Sequence, residues 1–179
     1  MNIEELNGLE VTILNYQTTY ILIQANHKKV KVNFRGKEEF KLAKQTSGSF
    51  QLFENSPLLI DYNEPWSEIF INSRPIDPEN LMAKIKSVID AKTEGSRNWL
   101  SYVTKDCNFS FDNFQRNIQE GNGLLMRAPL SIAKEIELVC CAVGVNTKSF
   151  TSKVEIDPKR LLTIGGNFVI AKEFNMQCL

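Results

Sequence analysis

The chain has 179 residues, 42% of them apolar and 23% charged, values ordinary for a folded globular domain, so the disordered, collagen-like and coiled-coil classes are excluded. Twenty-one Lys and Arg balance twenty-one Asp and Glu, which removes the long-range positive field on which most nucleic-acid binders and membrane-surface proteins rely. The length fits a single compact domain over 1–179, with a subdivision into a β-rich part, 1–74, and a helical part with a terminal hairpin, 75–179, as the alternative.

The chain opens Met1-Asn2-Ile3-Glu4-Glu5, acidic where a secretory signal would be basic, and no apolar segment of the signal type follows. The longest uninterrupted apolar stretch, Leu138 to Val145, spans eight residues and includes Gly144, far short of the ~20 that cross a bilayer. Residues 9–71 then read as short strands, because β-branched and aromatic residues recur with period two between polar turns. The expected segments are Leu9 to Asn15, Tyr20 to Ala25, Lys29 to Phe34, Glu39 to Ala43, Ser49 to Phe53, Leu58 to Tyr62 and Glu68 to Ile71. Short connections such as Asn26-His27 and Arg35-Gly36-Lys37 favour antiparallel neighbours and hence a meander.

Two features in this half bear on function. His27 is the only histidine; at a hairpin tip it would be solvated and poorly held, which argues against histidine-dependent catalysis. Lys29, Lys31, Asn33 and Arg35 share one face of their strand, but no aromatic side chain joins them to stack on bases, so a solvated basic face is expected and nucleic acid is not.

Asp61-Tyr62-Asn63-Glu64-Pro65-Trp66 is the most suggestive local cluster. Two acids beside aromatic rings suit a cationic or sugar-like ligand or a basic partner. The same residues also suit a tight turn in which Asp and Asn bond their own backbone while Trp66 covers the core edge.

The pattern changes at Pro75. Asp77-Pro78-Glu79 supplies an N-cap, a proline at the first helical position and an acidic first turn, so 78–92 should be an amphipathic helix with Leu81, Met82, Ile85, Val88 and Ile89 on one face. Residues 96–105 read equally as helix or strand; as a helix they set Trp99 and Tyr102 on one side, near Arg97 and Lys105. Ser110 can cap a helix carrying Phe111, Phe114 and Ile118, with Gly121 as its stop. Gly121-Asn122-Gly123 does not continue into a dinucleotide loop, since Met126 stands where the third glycine is needed. A third helix should run from Pro129 to about Val143, with Ile132, Ile136, Val139, Cys140 and Val143 as its core stripe. Finally, Ser149 to Ile156 alternates in part, and Leu161 to Ile164 should pair with Phe168 to Ala171 across Gly165-Gly166, unless Pro158 to Thr163 forms a short helix instead. Segregated strands and helices make the fold class α+β, with an N-terminal antiparallel β-meander, about three helices and a C-terminal strand pair.

The four cysteines, Cys107, Cys140, Cys141 and Cys178, lack C-x-x-C spacing, and adjacent Cys140 and Cys141 could pair only in a strained ring; reduced thiols in a cytoplasmic protein are expected, with Cys140 and Cys141 buried in the third helix. No P-loop, zincin helix, nucleophile elbow or calcium loop occurs. The expectation is therefore a non-catalytic protein-interaction module of inhibitor, immunity or accessory type. The alternative is a small-molecule-binding domain or enzyme with its site between sheet and helices, where Leu124, Leu125 and Met126 could line a cavity. The expected contact residues are Asp61, Glu64, Trp66, Arg97, Trp99 and Tyr102. No catalytic residue, metal or cofactor is expected; the expected partner is a protein, neither nucleic acid nor membrane, and self-association is left open.

Overall fold

The computed structural model describes residues 3–104 and 109–179; Met1, Asn2, Lys105 and Cys107 lie outside the described residues. In chain order, the strands and helices are β1 (Glu10–Tyr16), β2 (Tyr20–Ala25), β3 (Lys28–Lys41), β4 (Ser47–Phe53), α1 (Ile60–Asn63), β5 (Trp66–Ile71), α2 (Pro78–Lys92), α3 (Leu100–Thr104), α4 (Phe111–Glu120), β6 (Gly123–Pro129), α5 (Leu130–Ala142), β7 (Thr147–Thr151), β8 (Arg160–Ile164) and β9 (Asn167–Cys178). Short 3-10 turns cover Ile3–Leu6 and Pro57–Leu59. The secondary structure is mixed, 31% helix and 40% strand, with antiparallel sheets. The three longer helices are the expected ones; α1 and α3 add two short ones. The chain forms two compact units, one of Met1–Leu59 with Asp157–Leu179 and one of Ile60–Ile156.

The first unit is a closed barrel of order β1-β2-β3-β9-β8-β4, where the sequence reading expects an open meander. β1, β2 and β3 do form a meander, turning at Asn26 and His27, both exposed and both at positive φ, as a two-residue primed turn requires. The meander then stops. β3 continues through Arg35-Gly36-Lys37 instead of turning there: Gly36 takes φ +63°, and the register with β9 shifts just beyond it, between Lys37 and Glu39. Such a bulge bends a strand without ending it, and curvature is what closure needs. β4 pairs with β1 and β8, and β9 with β3 and β8. The inward side chains, among them Ile13, Ile23, Val32, Phe34, Phe50, Leu162, Val169 and Phe174, pack into one core. The β2–β3 hairpin also alters the basic face: Lys31 Nζ lies 4.4 Å from the ring centre of Tyr20 on β2, so an aromatic residue does join that row.

Leu58 to Tyr62 is not the expected strand. Ser56 Oγ accepts from Leu58 N–H at 3.3 Å, and this local bond, with Pro57 behind it, starts the 3-10 turn that leads into α1.

The second unit lays α3, α4 and α5 against the sheet β6-β5-β7, with α2 packed on α5. Asp77 caps α2 as expected, accepting from Asn80 N–H at 3.0 Å, and Ser110 caps α4. Ile85, Ile89, Ile132 and Ile136 are fully buried, but Val139 is only partly so. Leu124 to Met126 belong to β6, where a register shift opposite Ile69 and Phe70 lets Leu125 and Met126 turn inward consecutively. Of the segment 96–105, Leu100–Thr104 take the helical option as α3, while Arg97 and Trp99 precede the helix and Lys105 lies outside the described residues. At the barrel, Gly165-Gly166 joins β8 to β9 as a hairpin, and the short helix over 158–163 does not form.

Cys140 and Cys141 separate. Cys140 is buried and Cys141 exposed, because neighbours on a helix point about 100° apart. Burial, reinforced by the nearby Glu137 carboxylate, pushes the Cys140 thiol up to about 11. Alkylation at pH 7.5 should modify Cys141 and Cys178 and spare Cys140, with peptide mapping as the readout; prompt modification of Cys140 would place it at the surface. No helix among the described residues is long and apolar enough to cross a membrane.

Candidate functional site

Four of the six residues proposed from sequence, Asp61, Trp66, Arg97 and Tyr102, meet at Asp61, all within the second unit. Asp61 sits in the first turn of α1, and Trp66 begins β5 three residues beyond that helix. Tyr102, on α3, donates its hydroxyl to Asp61 Oδ1 at 2.8 Å, and Arg97 Nε lies 3.0 Å from Asp61 Oδ2. Trp66 Nε1 donates to the Asp61 carbonyl at 3.0 Å, and its ring lies 5.8 Å from that of Tyr102. The Arg97 guanidinium is 5.8 Å from the ring centre of Tyr62.

Glu64 has a distinct task. Its Oε2 accepts from Ser131 N–H at 2.7 Å, in the first turn of α5. Pro129 at the N-cap of that helix makes no side-chain bond, so a carboxylate from another element satisfies a free helical N–H and meets the positive end of the helix dipole. Trp99 stands apart, 6.0 Å from Phe111 and 5.9 Å from Phe114 in an aromatic cluster.

These residues do not form the exposed patch expected of them. Tyr102 is only 1% exposed, and the side chains of Asp61 and Arg97 are 16% and 15% exposed. Both oxygens of the Asp61 carboxylate are already engaged, so the group clamps α1, the Arg97 segment and α3 together. Burial first, then the hydrogen bond to Asp61 and its charge, hold the Tyr102 phenol above its ordinary value of 10.0, against the opposing pull of Arg97. A raised folded value means that the folded protein keeps this proton after the unfolded chain has lost it. The contribution is thus complete below pH about 10 and is lost as pH rises beyond it. Tyr102→Phe should flatten the alkaline limb of the stability curve by one proton, about 1.4 kcal/mol per pH unit; denaturant titrations between pH 9 and 11.5 measure this, and identical slopes would refute it.

The accessible chemistry lies next door. β5 alternates: Ser67, Ile69 and Ile71 are buried, while Trp66, Glu68 and Phe70 face the other way. Glu68 stands opposite Arg127 of β6, with which it forms an ion pair, and opposite Phe150 of β7. Phe150 is 53% exposed and meets Phe70 edge-on, with ring centres 5.8 Å apart, while Lys148 Nζ lies 4.9 Å from the Phe150 ring. Trp66, Ser67, Glu68, Arg127, Phe150, Thr151 and Ser152 line an open groove of about 690 Å³. Of these only Trp66 was marked by sequence reasoning. The alternation of Glu68 to Ile71 could have exposed Glu68; nothing in the sequence announces that Arg127 and Phe150 flank it.

Among the described residues no three His, Cys, Asp or Glu side chains gather as a metal-binding group. In comparison with known proteins, the chain matches no family model, no curated protein and no solved structure.

Proposed function

We propose that this is a cytoplasmic, non-catalytic interaction module that holds a protein partner on the face of its three-stranded sheet that carries Glu68, Phe70 and Phe150. One observation carries the reading: Phe150 is a large aromatic side chain left half in water yet braced against Phe70, with Lys148, the Glu68–Arg127 pair and Trp66 around it. Rigid aromatic anchors ringed by charged groups are the usual composition of an interface hot spot. Of the residues first proposed, Trp66 makes contact in this reading. Asp61, Glu64, Arg97 and Tyr102 hold its segment in place, and Trp99 anchors the helices. The near-zero net charge supports a protein partner over nucleic acid.

A second reading has its own support. A groove of about 690 Å³ lies in the range of small-molecule sites, roughly 300–1,000 Å³, and Trp66 and Phe150 could sandwich a planar ligand while the ion pair orients it. Affinity capture from native cell extract separates the two, using wild type, Phe150→Ala and, as a control on the barrel, Phe40→Ala. The expected result is one protein retained by wild type and Phe40→Ala, depleted about tenfold on Phe150→Ala, and rebinding when purified. A stoichiometric metabolite with no protein above background would move the conclusion to the second reading.

A further inference from the structure

The geometry points to a second copy of this chain as the occupant of the free edge of β7, pairing antiparallel about a two-fold axis at Ser149. This rests on the backbone of β7 together with Lys148 and Phe150, of which Phe150 is shared with the groove reading; Ser149→Pro, which leaves Phe150 in place, tests it apart from that reading.

β7 lies at the end of the sheet order β6-β5-β7. Ser152 N–H donates to the Trp66 carbonyl at 2.8 Å, and Asn72 N–H to the Asn146 carbonyl at 2.9 Å. With the register Glu68↔Phe150 and Phe70↔Lys148 between them, the even-numbered residues of β7 direct their backbone groups to β5. Thr147, Ser149 and Thr151 therefore direct theirs away from it, and among the described residues those groups take no backbone partner. The sheet's other edge is managed: β6 carries Pro129 and a register shift, and α1, α3 and α4 pack against it. β7 has neither proline nor bulge, and Thr147, Phe150 and Thr151 favour strand.

The strand is complementary to itself. Centring the two-fold on Ser149 makes Ser149 face its own copy and Thr147 face Thr151, and these are the positions whose N–H and C=O groups point outward, so every outward group of the strand finds a partner. The intervening positions set Lys148 opposite Phe150 on the groove side, twice by symmetry. Within one chain Lys148 Nζ already lies 4.9 Å from the Phe150 ring; across the axis the same cation and ring come closer, because non-hydrogen-bonded pairs approach most tightly. Thr147 against Thr151 is a favourable cross-strand pair on the other side. A partner with acidic residues in these places would also suit Lys148, but it would not reproduce the match at all five positions. The pairing is small, which places it with the transient interfaces that dissociate on dilution.

Sedimentation velocity across the micromolar range tests this, with the 20.4 kDa chain expected to pass from one copy to two as concentration rises. Phe150→Lys sets lysine against lysine and should weaken association about tenfold. Exchanging the pair, Lys148→Phe with Phe150→Lys, restores a cation opposite a ring and should bring affinity back to within about threefold of wild type. Rescue by exchange is a result that a merely structural role for Phe150 does not produce. Ser149→Pro removes an N–H that makes no bond to β5, so it should abolish association while leaving the melting temperature nearly unchanged; it decides the matter if Phe150→Lys fails to fold. A wild-type chain that sediments as one copy at every concentration overturns the proposal, as does association unaltered in folded Phe150→Lys or Ser149→Pro, or a folded exchange variant that stays dissociated.

Discussion

Ile136→Asp should cost about 4 kcal/mol or more, close to the whole stability of many domains of this size. Ile136 is fully buried on α5, within the cluster that includes Ile69, Ile85, Ile89 and Ile132. A carboxylate placed there has no cation beside it among these side chains. It must either stay charged in an apolar medium or take up a proton at a cost that grows with pH above its normal range. Ile136→Val, which removes one methylene, should cost only about 1 kcal/mol. Urea denaturation followed by circular dichroism compares the three proteins. A loss below about 1 kcal/mol for the aspartate variant would mean that α5 presents a different face to the sheet.

Asp61→Ala should cost about 3 kcal/mol, more than a surface ion pair could explain. The carboxylate binds the Tyr102 hydroxyl at 2.8 Å and Arg97 Nε at 3.0 Å, and its removal strips a buried hydroxyl of its acceptor and an almost buried guanidinium of its counter-charge. Asp61→Asn keeps the shape and one acceptor, and should lose about half as much. Combining Asp61→Ala with Tyr102→Phe should lose less than the two changes apart, since with the hydroxyl gone there is less to orphan. Strict additivity in that cycle would show that the bond contributes nothing of its own.

The contrast between these two sites shows what could be read from sequence. Ile136 was legible because a helix repeats every 3.6 residues and its apolar stripe names its own inward face. The segment with Asp61 and Trp66 and the segment with Arg97 and Tyr102 were each noticeable, because acids beside aromatic rings are unusual locally. Their meeting was not legible, for it depends on where α3 settles against β6. Exposure was misjudged for the same reason: residues that serve recognition at a surface are also those that satisfy one another when buried. Glu68, Arg127 and Phe150 escaped notice because strand alternation assigns a face but not a neighbour, and a neighbour across a sheet can come from any distance along the chain. Barrel closure was missed on the same ground. Phe34 read as lying opposite the basic face of its strand, but nothing local says that it shares a ladder with Phe174, beyond the last strand the sequence suggested.

That ladder constrains how the protein is made. β3 leaves the ribosome before the whole of Ile60–Ile156 and β9 after it. The inserted unit has all its strands and helices in one continuous stretch, so it can acquire structure during synthesis, while β1 to β4 wait with two strand edges unsatisfied. Throughout that interval the nascent barrel is an open half-sheet, and β3, which carries Lys28, Lys29, Lys31, Lys37 and Lys41, waits for β9 as its final neighbour. Lysines on an unpaired edge discourage pairing with another chain, so the same charges that solvate the finished barrel also suit its unfinished edge.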